Sequence, residues 1–150
     1  VERYEAKPPE LAPVEQCVQI PPMPKYTLFH NLDLRLDPGC AGWMFGKLTD
    51  VSQNKGYFSF SDGRPIDVLS LFLIIDSMPP AALATQGMNA WVPTIELSVN
   101  IRNLPQTDRL KCSLRTRFIT CGLLEADGEV WDEKGNLAAI SRQIAQFKAG

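Results

Sequence analysis

The stretch IDVLSLFLIIDSM, residues 66–78, constrains this chain more than any other. It is too long and too rich in leucine for a strand, and it follows the breaker run Asp62-Gly63-Arg64-Pro65. Its spacing predicts a helix that is apolar on nearly every side, and such a helix has to be buried. Pro79 and Pro80 lack the amides that would bond back to Ile75 and Asp76, so regular helix ends or kinks there. Asp76 then falls in the last helical turn, where the helix dipole disfavours a negative charge. A carboxylate in such a place is paired, hydrogen-bonded or used. Asp67, in the first turn, suits a cap instead.

Around this helix the pattern changes to alternation. Residues 26–36, YTLFHNLDLRL, set Leu28, His30, Leu32, Leu34 and Leu36 on one face, predicting a half-buried strand closed by Asp37-Pro38-Gly39. His30 then reads as a packed strand histidine. Residues 42–52 read as a short strand, and the aromatic run 56–63 as another. After the helix come four strand-like runs, 91–102, 110–120, 123–132 and 137–147. In the first, Ile95, Leu97, Val99 and Ile101 oppose Thr94, Glu96, Ser98 and Asn100. In the last, Gln143 shares a face with Leu137, Ala139, Ala145 and Phe147, so it should point to the apolar side, where a buried amide needs a partner. Trp91 and Trp131 read as packing residues, and Arg115 and Arg117 as a solvated strand face. Residues 1–25 hold six of the twelve prolines without any period. They are expected to be a proline-rich arm or linker lying outside the core, with the domain proper over 26–150.

Strands, one apolar helix, then an antiparallel meander leave one solution: the sheet must curl around the helix to bury it. The expected class is α+β, a hotdog fold, with a curved antiparallel sheet wrapped around one central apolar helix.

At 150 residues, one domain with a real core is expected. The 15 basic and 17 acidic side chains are mixed along the chain, giving a net charge of -2 and no basic run to follow a nucleic-acid backbone. The longest apolar run, 71–75, is far short of the roughly 20 residues of a membrane helix. The proline- and charge-rich first residues do not read as a signal peptide. A chain opening on Val1 is expected to be processed or a piece of something longer. Cys17, Cys40, Cys112 and Cys121 form no close pair, and His30 is the only histidine, so neither a zinc site nor a nucleophile motif beside a histidine is indicated. Scattered thiols of this kind suit burial in a reducing cytoplasm.

The stretches DGRPIDVLSLFLIIDSMPPA, WVPTIELSVNIR and LLEADGEVWDEKGNLAAISRQ, in that order, resemble the C-terminal hotdog of type II acyl-CoA thioesterases over residues 55–148. In that family an Asp on the central helix, a Thr opening the first meander strand and a Gln on the last strand hold the attacking water. The matching positions here are Asp76, Thr94 and Gln143. Where better-studied members continue their Thr with an Asp-His pair, this chain has Glu96 and Leu97. Family members carry two fused hotdogs. The resemblance therefore implies acyl-CoA as substrate, no metal or cofactor, a place in lipid metabolism, and a second hotdog as partner, either its own copy or a separate N-terminal half. The three residue types suit the chemistry, which needs a base for the water and donors for the oxyanion. Two other classes are open on the sequence. A hotdog hydratase or dehydratase would place a histidine opposite the helix acid, and a non-catalytic hotdog would bind acyl groups without turnover.

Overall fold

In the computed structural model, which describes all 150 residues, a single antiparallel sheet of eight strands carries the fold. The strands are β1 (Val18–Gln19), β2 (Leu32–Leu36), β3 (Gln53–Phe60), β4 (Thr94–Ile101), β5 (Leu110–Arg115), β6 (Ile119–Thr120), β7 (Leu123–Asp132) and β8 (Leu137–Gln146). Their order across the sheet is β1-β2-β3-β5-β7-β8-β4, with β6 paired to β7. Helix α1 (Val68–Ser77) and the short α2 (Leu83–Gln86) lie between β3 and β4 in the chain, and α1 packs against β4, β7 and β8.

Alternation explains which side meets the helix. Leu34 and Leu36 of β2, Phe58 of β3, Leu110 of β5, Val130 of β7 and Ala139 of β8 join Leu71 and Ile74 of α1 in one core cluster. The helix begins where expected: the Asp67 carboxylate accepts from the Ser70 amide at 2.8 Å, while the Asp67 amide donates back to the Ser70 hydroxyl at 3.3 Å. It ends at Ser77 because Met78 precedes a proline and turns extended, at φ -62° and ψ 132°. The double proline is then held by Asn54, which is fully buried. Its side-chain amide donates to the Pro79 and Pro80 carbonyls at 3.2 and 3.0 Å, and its oxygen accepts from the Trp43 indole at 3.0 Å.

The helix is apolar all round but not buried all round. Leu71, Ile74 and Ile75 face the sheet, while Val68, Leu69 and Phe72 stay exposed, Leu69 at 75%. One sheet covers only one side of a helix. Other expectations are corrected in the same physical terms. Thr27–His30 is a 3-10 turn that leaves Leu28 and His30 exposed, because Asn31 takes a helical backbone (φ -97°, ψ -8°) just before β2 begins. Residues 42–52 are no strand: Ala41–Phe45 forms a 3-10 turn closed by Gly46 at φ 76°. The run 110–120 breaks between β5 and β6, where the Arg117 and Phe118 amides donate to a Glu125 oxygen at 2.7 and 2.9 Å. Arg117 thus lies beyond the strand and pairs with Asp127. Trp131 is buried as expected, but Trp91 is 60% exposed.

The arm does not stay outside the core. β1 pairs with β2, and Ile20 is buried in the central cluster. Its earlier part crosses the opposite face of the sheet. The Tyr57 hydroxyl donates to the Ala12 carbonyl at 2.9 Å, the Ala12 amide donates to Asp37 at 2.8 Å, and Tyr4 stands edge-on to Trp131 at 5.5 Å. Proline denies a chain its ladder bonds only where prolines stand, and 18–20 holds none. All four cysteines are free; Cys40 and Cys112 are buried, and burial pushes the Cys112 thiol up to about 12, while Cys121 is exposed. No helix is long and apolar enough to cross a membrane.

Candidate active site

Gln143 sits in β8, opposite Ala126 of β7 on one side and Leu97 of β4 on the other. Its neighbours along the same face, Ala139 and Ala145, are fully buried, so Gln143 points to the helix side, as parity predicts. Thr94 poses a problem for parity. Strict alternation puts it with Glu96, Ser98 and Asn100, away from the core. The ladder solves this with a bulge: Thr94 pairs with Ala145 while Glu96 pairs with Ile144, two steps on β4 against one on β8. Ile95 is the extra residue and is pushed into solvent, 60% exposed. Beyond it the faces exchange, so Thr94 opposes the buried Ala145 and lies on the helix side, although it is still exposed. Bulges commonly re-aim a side chain in this way. The Gln143 side-chain amide donates to the Thr94 hydroxyl.

Asp76, in the last turn of α1, lines the same cavity as Thr94 and Gln143. The cavity is small, about 130 Å³, with Val92, Leu114, Leu124 and Ala126 among its walls. The Asp76 side is open: the residue is exposed and takes part in no ion pair. The expectation of a carboxylate enclosed in apolar surroundings is corrected here, since Asp76 lies on the uncovered face of α1 with Leu69 and Phe72. Because Gln143 donates to the Thr94 oxygen, the threonine's own hydrogen is left to bond elsewhere, as is the second amide hydrogen of Gln143. A carboxylate acceptor and two free donors thus border one small space.

Sequence reasoning missed Thr116 in this wall. It is 4% exposed, and its hydroxyl has no partner although buried. The signal was present: Thr116 shares a face with Leu110, Cys112 and Leu114, as a polar residue in an apolar series.

An antiparallel sheet with one longer helix packed against it is the arrangement of the hotdog fold. The sequence signature of the acyl-CoA thioesterase C-terminal domain matches residues 9–147, and the chain belongs to that family. No curated protein sequence matches it. Among solved structures it is similar to a thioesterase II from Thermobifida fusca, with a TM-score of 0.83 and 25% identity, covering 97% of this chain and 57% of that one. A hotdog-fold protein from Alicyclobacillus acidocaldarius gives a TM-score of 0.86 at 20% identity, covering 100% and 58%. An acyl-CoA thioesterase II from Mycobacterium marinum gives 0.73 at 16%, covering 100% and 59%. The chain spans less than two thirds of each of these proteins.

Proposed function

We propose that this chain hydrolyses acyl-CoA thioesters by direct attack of water. The observation that carries the reading is the meeting of Asp76, Thr94 and Gln143 at one cavity, achieved for Thr94 only through the Ile95 bulge. Within this chain, a bulge that turns a hydroxyl onto a glutamine amide brings no packing benefit, since it leaves an isoleucine exposed. In the proposed reaction Thr94 and Gln143 hold a water whose proton passes to Asp76 as its oxygen bonds to the thioester carbonyl carbon. Backbone amide N–H groups stabilise the resulting oxyanion. The oxyanion then collapses, the carbon–sulfur bond breaks, and the CoA sulfur leaves and takes up a proton. No covalent intermediate is required. The free thiols suit action in the cytoplasm.

The open side of the site motivates the second part of the proposal. A second hotdog, a copy of this chain or a separate N-terminal half, covers the exposed face of α1 and the free edge of β4. The longer relatives support this, since this chain covers only 57–59% of each and further chain remains.

Release of free thiol from acyl-CoA tests the reaction. Thr94→Val and Gln143→Ala should each lower the rate by about tenfold or more. The double variant should lose far less than the product of the two, because both hold one water. Multiplying losses, or a shifted double bond without thiol release, would remove the reading.

A further inference from the structure

The Asp76 cavity has four polar side chains in its wall, and the proposed reaction uses three of them. The fourth is Thr116. It is 4% exposed, and its hydroxyl is shut off from solvent without a partner in the chain. The sheet sets where that hydroxyl lies. Across β5 and β7, Leu114 faces Gly128 and Arg115 faces Asp127. One step further on, Thr116 comes level with Ala126, and its amide still donates to the Ser52 carbonyl at 3.0 Å, prolonging the ladder towards β3 by a residue. Ala126 is itself paired with Gln143. Thr116 and Gln143 thus flank one alanine on the inner face, with only a methyl group between them. A buried hydroxyl without a partner is unfavourable, and in a small polar cavity water commonly supplies the missing bond.

Resting on the hydrolase reading above, we propose that Thr116 is a further residue of this site, whose hydroxyl oxygen accepts the second hydrogen of the attacking water. The count of bonds leads there. To attack, the water needs one lone pair free for the thioester carbon. One of its hydrogens goes to Asp76, the proton acceptor, and a donor from the Thr94–Gln143 pair occupies the other lone pair. The remaining hydrogen needs an acceptor, and the lone pairs of the Thr116 oxygen are unengaged. With both hydrogens held, the free lone pair keeps one direction instead of turning about the bond to Asp76. The hydroxyl hydrogen of Thr116 is left for a second water, for which a cavity of about 130 Å³ has room at roughly 30 Å³ for each.

Thiol release by the full chain from acyl-CoAs graded from acetyl to palmitoyl tests this, with kcat and KM read separately beside the unfolding midpoint. Thr116→Val keeps the shape and removes the hydroxyl. It should lower kcat by about tenfold or more and leave KM within about twofold, since the lost bond is to water and not to the thioester. Its midpoint should hold or rise, because a buried polar group without a protein partner has gone. Thr116→Ser should restore most of kcat. Added to Gln143→Ala, Thr116→Val should bring little further loss, as both act on one water. A folded Thr116→Val that matches the parent in kcat overturns the assignment. So does a serine variant as slow as the valine one, which would make the methyl group the cause. If the valine variant does not fold, Thr116→Ala is compared with Thr116→Ser in its place, with the same two outcomes. A parent that releases no thiol from any of these thioesters removes the hydrolase reading and this role with it. A parent that turns over beside an equally fast Thr116→Val removes the role of Thr116 alone.

Discussion

Asn54 supports the site without lining its cavity. It gives partners to the Trp43 indole and to the carbonyls of Pro79 and Pro80, and Pro80 lines the Asp76 cavity. Asn54→Ala leaves those groups buried without partners, so unfolding stability should fall by about 3 kcal/mol. Denaturant midpoints measure it, and a change under about 1 kcal/mol would mean the clamp is dispensable. Sequence could not point to Asn54, since it precedes the aromatic run that marked the strand and its partners lie far off in the chain. Asp76 was legible because it is the one charge within an apolar helix, and Gln143 because parity places an amide among alanines. Thr94 was legible only by resemblance, as alternation puts it on the wrong face.

At the level of elements, the Ile95 bulge is where local pattern and function part. Deleting Ile95 removes the extra residue, so Thr94 alternates directly with Glu96 and stays opposite Ala145, on the face of Gln143. The sheet should survive, because Leu97, Val99 and Ile101 keep their register, and thiol release should fall much less than in Thr94→Val. A folded deletion variant as slow as Thr94→Val would show that the face Thr94 occupies does not by itself serve the site. The elements read best from sequence were those with long-range periods: α1 within two residues at its start and one at its end, and the meander strands β7 and β8. Short ones failed. Thr27–His30 alternates like a strand, yet one helical residue at Asn31 closes it into a turn, and no periodicity in four residues can distinguish the two. The gap between β5 and β6 depends on Glu125, a carboxylate that takes up two amides from across the sheet, which local sequence does not display.

For the whole molecule the two sheet edges differ. β1 ends the sheet with two residues, whereas β4 ends it with eight and carries the exposed Ile95. Long open edges and the apolar face of Leu69 and Phe72 are unfavourable in water. The chain alone should therefore pair with its own copy in light scattering at micromolar concentration; a stable monomer counts against a second hotdog at this edge. The arm, expected to be a linker outside the core, instead lies along the sheet and supplies Ile20 to the core. Composition signalled extended backbone correctly but cannot say what an extended segment rests on. Everything proposed for the assembled site nevertheless turns on one carboxylate. Asn in place of Asp at position 76 keeps the shape and an acceptor oxygen but cannot take a proton from water. The direct measurement is the thiol-release rate of Asp76→Asn beside its unfolding midpoint. The rate should fall by about two to four orders of magnitude. The midpoint should hold or rise slightly, since a negative charge at a helix C-terminus is removed. A variant as active and as stable as the parent would leave Asp76 without a catalytic role and contradict the account.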